Sequence, residues 1–445
     1  MTTEQTSKLQ RRLQRPRRRG WVALLPLLLL VVLMSGLGMA GGDFSKVPMT
    51  IVFLIVCVAS IFTLRGYTLE ERISTFSHGA GSHDLLLMVW IFVLAGAFAK
   101  SAQAMGAVSA TVDLTMALLP GNMLLAGMFL AACIVSLCVG TSVGTIVALV
   151  PVAAEMSVRI GLPLPLMVAA VVGGSFFGDN LSFISDTTVA ATRTQDCSMR
   201  DKFRTNFRIV LPAALVCFVL YVLMGTQQGG SQDVAAAEAQ HLWRVLPYVA
   251  VLFTAVAGLN VLLSLCLGIV LTGVVGMAER SFDVNGWVAS MAEGVAGMGE
   301  LILISMLAGG LLAVVRKAGG VTYMVRAITR RVHSRRGAEV CIAALVSMTN
   351  FCTANNTVAI LSVGAIVKDI AVRYGVDRRR SASLLDMFSC VVQGVIPYGA
   401  QLLMASGLAL VSPMAIIPYL YYPMLLTVTA LASIALSRDS VKGRA

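Results

Sequence analysis

The chain has 445 residues, 57% of them apolar and only 13% charged, with a mean hydropathy of +0.84. Soluble domains are about 45–50% apolar and about 25% charged, so the composition excludes a water-soluble globular fold and points to lipid as the solvent. The formal net charge of +12 does not indicate nucleic acid, because the basic residues are confined to short segments between long apolar runs, where they act as orienting charges.

A basic segment, 1–20, opens the chain with Lys8, Arg11, Arg12, Arg15, Arg17, Arg18 and Arg19. Apolar runs of bilayer-spanning length follow, each about 20 residues. They lie at 21–40, 47–64, 85–99, 166–192 and 209–225 and, after a polar external linker at 228–244, at 245–259, 261–277, 301–315, 383–411 and 415–436. A polar tail covers 437–445. Two more apolar stretches, 122–157 and 339–367, are too long for one span and are interrupted near their middles. The first carries Gly140, Thr141, Ser142, Gly144 and Thr145; the second carries Asn350, Thr353, Asn355, Asn356 and Thr357. Both are read as re-entrant hairpins that return to the side they entered from. Polar stretches 101–120 and 321–336 are expected to lie along the interfaces as helices.

With the amino terminus in the cytoplasm, 29 of the 34 basic residues fall on that side, Lys202 in segment 193–208 among them. Only Lys46, Lys100, Arg159, Arg244 and Arg280 fall outside. Counting either hairpin as a full crossing would spoil this asymmetry. The basic tract before an apolar run also fits a signal peptide, but that run is needed for the topology. The expectation is a multi-pass protein of a bacterial inner membrane with both termini cytoplasmic.

The halves 21–227 and 245–436 resemble each other at a shift of roughly 213 residues. Leu94-Ala95-Gly96 matches Leu307-Ala308-Gly309, Arg159-Ile160-Gly161 falls on Arg373-Tyr374-Gly375, and the hairpin tips coincide. Five crossings per half turn the second copy upside down. The predicted fold class is therefore an all-α polytopic membrane protein of two inverted-topology repeats, each with a re-entrant hairpin and a broken transmembrane helix. Secondary transporters are built this way, with binding sites where the breaks meet.

The most informative stretch, 173–188, carries Asp179 and Asp186 among Asn180, Ser182, Ser185, Thr187 and Thr188. A charge at the centre of a membrane helix costs about 2.5–3.5 kcal/mol on insertion scales and persists where it faces a cavity or a partner. Gly173, Gly174 and Gly178 are expected to let the backbone open before Asp179. The donors are hard oxygens, which suit Na+ and disfavour soft metals. The tips add Thr141, Ser142 and Thr145 from one hairpin and Asn355, Asn356 and Thr357 from the other; the second broken helix adds Gln393, Pro397, Tyr398 and Gln401. Asp386 precedes that break and is read as a gate or structural acid. One aspartate could instead merely cap a half-helix.

Other chemistries are excluded. All four histidines, His78, His83, His241 and His333, lie outside the apolar runs, the nine cysteines form no CxxC pair, and there is no phosphate-binding loop or GxSxG. The GLGMAG at 36–41 closes an apolar helix instead of following a strand, so it is not a dinucleotide site. No cofactor is expected beyond transported Na+ and H+. The partners are the lipid bilayer and those ions, with a homodimer as the expected assembly.

Residues 178–188, 140–145 and 380–386 resemble the NhaC-type sodium/proton antiporters of the ion-transporter superfamily, and the resemblance extends from about 85 to 436. It implies an inner-membrane carrier whose ion-handling residues are Asp179 and Asp186. Phe183 stands where the family's commoner form has proline, which leaves cargo identity open, since relatives also exchange organic acids such as malate and lactate. Such an exchanger wants a guanidinium or ammonium near the midplane. The sequence offers none there, with Lys100, Arg316 and Lys368 at span ends.

Overall fold

The computed structural model describes residues 20–41, 48–182, 185–228, 242–257, 259–329, 332 and 334–437. The basic segment 8–19, His241, His333, Phe183 and the tail 438–445 lie outside the described residues. Every regular element among the described residues is helical.

An amino-terminal group comprises α1 (Leu25–Ala40), α2 (Met49–Ile61), α3 (Leu69–Ala80), α4 (His83–Ala104) and α5 (Ala107–Leu118). Helix α3 was not foreseen: its polar sequence begins with a capping box in which Thr68 and Glu71 satisfy each other's backbone N–H groups. Then come α6 (Leu124–Val139), α7 (Ser142–Ile160), α8 (Leu164–Leu181), α9 (Asp186–Gln195) and α10 (Met199–Gln228). The second half runs through α11 (Leu246–Val256), α12 (Val261–Ala278), α13 (Val284–Gly297), α14 (Gly299–Lys317) and α15 (Gly320–Thr329). It closes with α16 (Arg335–Thr353), α17 (Asn356–Tyr374), α18 (Arg378–Val395), α19 (Ala400–Ala409), α20 (Pro413–Ile416) and α21 (Tyr421–Ala435).

Nine stretches of the described residues are long and apolar enough to cross a membrane, or ten if the bent pair Pro413–Tyr419 and Tyr421–Ala435 is one span. Large apolar side chains such as Leu28, Val32, Phe253, Val270 and Val428 are exposed on their outer faces. A surface this apolar matches hydrocarbon, and the helices satisfy their own backbone groups as hydrocarbon demands. The run predicted at 301–315 is the second part of a longer stretch, Val284–Lys317. The segment 199–208, read as a cytoplasmic connection, is the first part of α10.

The two halves break their backbones at matching places, 214 positions apart. Gly140 closes α6 in the left-handed conformation and Thr141 is extended; Ala354 and Asn355 do the same at the end of α16. Gly161 and Gly375 end α7 and α17 in that conformation, and Asp196 and Leu410 end α9 and α19. Extended Ser182 and Ser185 flank the first broken helix, as Ile396 and Gly399 flank the second.

The glycines before Asp179 do not open the helix. Helix α8 continues to Leu181, and the break falls after Asp179. A Cβ at Gly178 would sit 2.4 Å from the Ser136 carbonyl carbon and one at Gly174 2.6 Å from the Phe129 oxygen. Their missing side chains therefore let α6 lie directly against α8, as small residues do between membrane helices.

Candidate functional site

Four helices begin around one cavity of about 360 Å³. Thr141 and Ser142 start α7, Ser185 and Asp186 start α9, Asn355 and Asn356 start α17, and Ala400 and Gln401 start α19; all of them line it. The breaks thus bring two helix pairs and two broken helices to one place. Leu87, Met88 and Ile91 of α4 form an apolar wall.

Asp179 is buried, 3% exposed, on the last turn of α8. Its Oδ1 accepts the Ser142 N–H at 3.0 Å, so a carboxylate meets the positive end of α7. Asp186 opens α9 and is exposed into the same cavity, where its charge also suits a helix amino terminus. Ser185 and Thr187 line the cavity too, their hydroxyls 3.0 Å apart. Neither Asp179 nor Asp186 has an ion-pair partner among the described residues.

A chain of amides ties the halves together. Gln401 Nε2 donates to Ser142 Oγ at 3.0 Å, and Gln393 Nε2 donates to Gln401 Oε1 at 2.9 Å and to the Ala354 carbonyl at 3.1 Å. Gln393 Oε1 is buried without a hydrogen-bond partner among the described residues, an acceptor free for a cation. Asn355 caps α17 by accepting the Val358 N–H, the Asn356 side chain accepts the Thr357 N–H, and Thr357 also lines the cavity.

Other predicted residues stand outside the cavity lining. Thr145 is buried and donates to the Thr141 carbonyl; Ser182 is buried at the end of α8. Asn350 bonds to the Ser389 carbonyl on α18. Pro397 lies in the second break, and the neighbouring Tyr398 hydroxyl donates to the Phe351 carbonyl while lining a separate cavity. Asn180 donates to the Phe176 carbonyl, and Thr188 faces away toward α10.

What Asn180 and Thr188 face is Lys202, which the sequence reading put in a cytoplasmic segment. Its side chain is 1% exposed and pairs with Asp386, itself 0% exposed, at 2.8 Å. Lys202 Nζ also donates to the Asn180 carbonyl at 2.9 Å and to Thr188 Oγ1 at 2.6 Å. Asn206 Nδ2 donates to the Asn180 carbonyl and to Asp386 Oδ2, both at 2.8 Å. Burial was hidden because Lys202 sits among Arg200, Arg204 and Arg208, a pattern that looks like a wetted flank. The signal was period: Lys202 and Asn206 are one turn apart and share a face with Ile209, Val210 and Ala213.

Apolar spans enclosing a carboxylate-bearing cavity between broken helices define a membrane carrier. The chain belongs to the Na+/H+ antiporter family, whose model matches residues 21–226 and 242–437. It is 20% identical over 394 residues to the malate-2H+/Na+-lactate antiporter of Bacillus subtilis, covering 82% of this chain and 84% of that one. It is 24% identical over 398 residues to the Na+/H+ antiporter NhaC of the same organism, covering 80% and 83%. Among solved structures, Neisseria gonorrhoeae MtrF, described as illuminating a class of antimetabolite efflux pumps, matches at 15% identity with a TM-score of 0.37, covering 88% and 95%.

Proposed function

We propose that this protein exchanges Na+ for H+ across a bacterial inner membrane by alternating access. The observation that carries the reading is the charge balance at the cavity: Asp179 and Asp186 both line it without a counter-ion among the described residues, while the neighbouring ammonium of Lys202 is taken by Asp386. Na+ binds Asp179 and Asp186 with help from Ser185, Thr187 and Gln393 Oε1, and protons compete for the same carboxylates. An empty, anionic cavity resists closure in low dielectric, so the carrier turns over only when loaded, which couples the fluxes. The ions it moves are its only required small partners; no resident cofactor enters the scheme.

The matched backbone breaks support reading 21–227 and 245–436 as inverted repeats, with the α6–α7 and α16–α17 pairs as re-entrant hairpins. In this topology both termini are cytoplasmic, and the protein works as a homodimer.

A second reading, exchange of small organic acids coupled to Na+ or H+, is favoured by one observation. Four helix amino termini converge on the cavity, and their partial positive charges suit a carboxylate. The curated malate and lactate exchanger shows that this cargo occurs among relatives.

Inverted vesicles carrying a proton-sensitive dye separate the readings when alkali cations and then carboxylic acids are added. Na+ alone is expected to drive proton flux, and Asp179→Asn or Asp186→Asn to abolish it with membrane insertion intact. Flux that requires malate or lactate would establish the second reading.

A further inference from the structure

We infer that the Lys202 ammonium is a tethered cation occupying a second alkali-cation site behind the cavity, so that untethering it lets a free ion bind there. This stands apart from the identity of the transported ion. Lys202 Nζ is held by a backbone carbonyl (Asn180), a hydroxyl (Thr188) and a carboxylate (Asp386), at 2.9, 2.6 and 2.8 Å. Those contacts use all three ammonium donors. They are also the hard-oxygen set that holds alkali and alkaline-earth ions.

The Asn180 carbonyl is available because α8 ends one residue later, leaving its last carbonyls without helical partners. Three side-chain oxygens of the residues that form this nest, Asn180 Oδ1, Asn206 Oδ1 and Asp386 Oδ1, have no hydrogen-bond partner among the described residues, and the last belongs to the carboxylate that holds the ammonium. A plain buried ion pair has no use for surplus acceptors, whereas a cation cradle supplies them. The pair joins α10 to α18 of the other half and leans on both sides of the first break. The tethered charge therefore sets how many free cations the region takes up.

The test is melting temperature of purified protein titrated with sodium, ammonium or choline chloride. An Asp179→Asn background removes the ion response of the cavity. In the double variant D179N/K202A, sodium or ammonium is expected to raise the melting temperature saturably, by about 3 °C over choline. D179N alone and the triple variant D179N/K202A/D386N are expected to show no such rise. An equal rise in the triple variant, or none in the double, overturns the inference. Failure of the double variant to fold in any of the salts also overturns it, since the vacated oxygens then hold no ion. Exchange persisting in D179N alone would instead count against the Na+/H+ reading.

Discussion

Asp179 combines two roles that separate by mutation. Its Oδ1 takes the first free N–H of α7, and its charge lines the cavity. Asparagine keeps the acceptor and removes the charge, so Asp179→Asn is expected to retain the melting temperature within about 1 kcal/mol of stability while losing exchange. Asp386 behaves differently. Its neutralisation leaves Lys202 buried without an anion, so Asp386→Asn is expected to cost about 3–5 kcal/mol, read as loss of folded protein. Replacing the pair as K202M/D386L is expected to recover most of that, because two apolar side chains need no partner. Asp179 was legible in the sequence because an acid inside an apolar run has few explanations. Lys202 was missed, because its basic neighbours masked the helical period it shares with Asn206, Ile209 and Ala213.

At the scale of elements, close packing explains what propensity misread. Gly178 belongs to an unbroken helix, and Gly178→Ala would drive a methyl into Ser136, whose Cβ is 2.3 Å from the new atom. The expected loss is about 1–3 kcal/mol, measured by thermal unfolding. At the second break, left-handed Ala354 (φ 49) stands where the first has Gly140 (φ 73). Ala354→Gly relieves strain of about 1 kcal/mol and is expected to raise the melting temperature slightly. Outside the spans, Lys368 pairs with Asp196 at the end of α9 and, as the largest cause, holds that carboxyl below its usual range. Such a link is present above the ordinary aspartate value of about 3.9 and lost as pH falls through the lowered one. The stability difference between wild type and Lys368→Met is therefore expected to be full at neutral pH and to vanish in strong acid. The interruptions at Gly140 and Ala354 were legible from small and polar residues inside apolar runs, whereas the first broken helix opens after Asp179 and not at its glycines. The length of α10 was not legible, because Lys202 and Asn206 near its start are buried against other helices while their basic neighbours lie exposed.

On the scale of the whole molecule, two chain halves with matching breaks bring four helix starts to one cavity. The membrane setting followed from composition, and the polytopic helical class and the order of features from apolar runs and their interruptions. The meeting of Gln393, Gln401 and Ser142 across the halves depends on tertiary packing that no local pattern encodes. Sharing of carboxylates between Na+ and H+ is the central claim, and proton release tests it without a membrane. Sodium chloride added to weakly buffered, purified protein near neutral pH should acidify the solution saturably, while choline chloride should not, and Asp179→Asn should stay silent. Sodium binding with no proton released, or equal release from Asp179→Asn, would contradict exchange at this cavity.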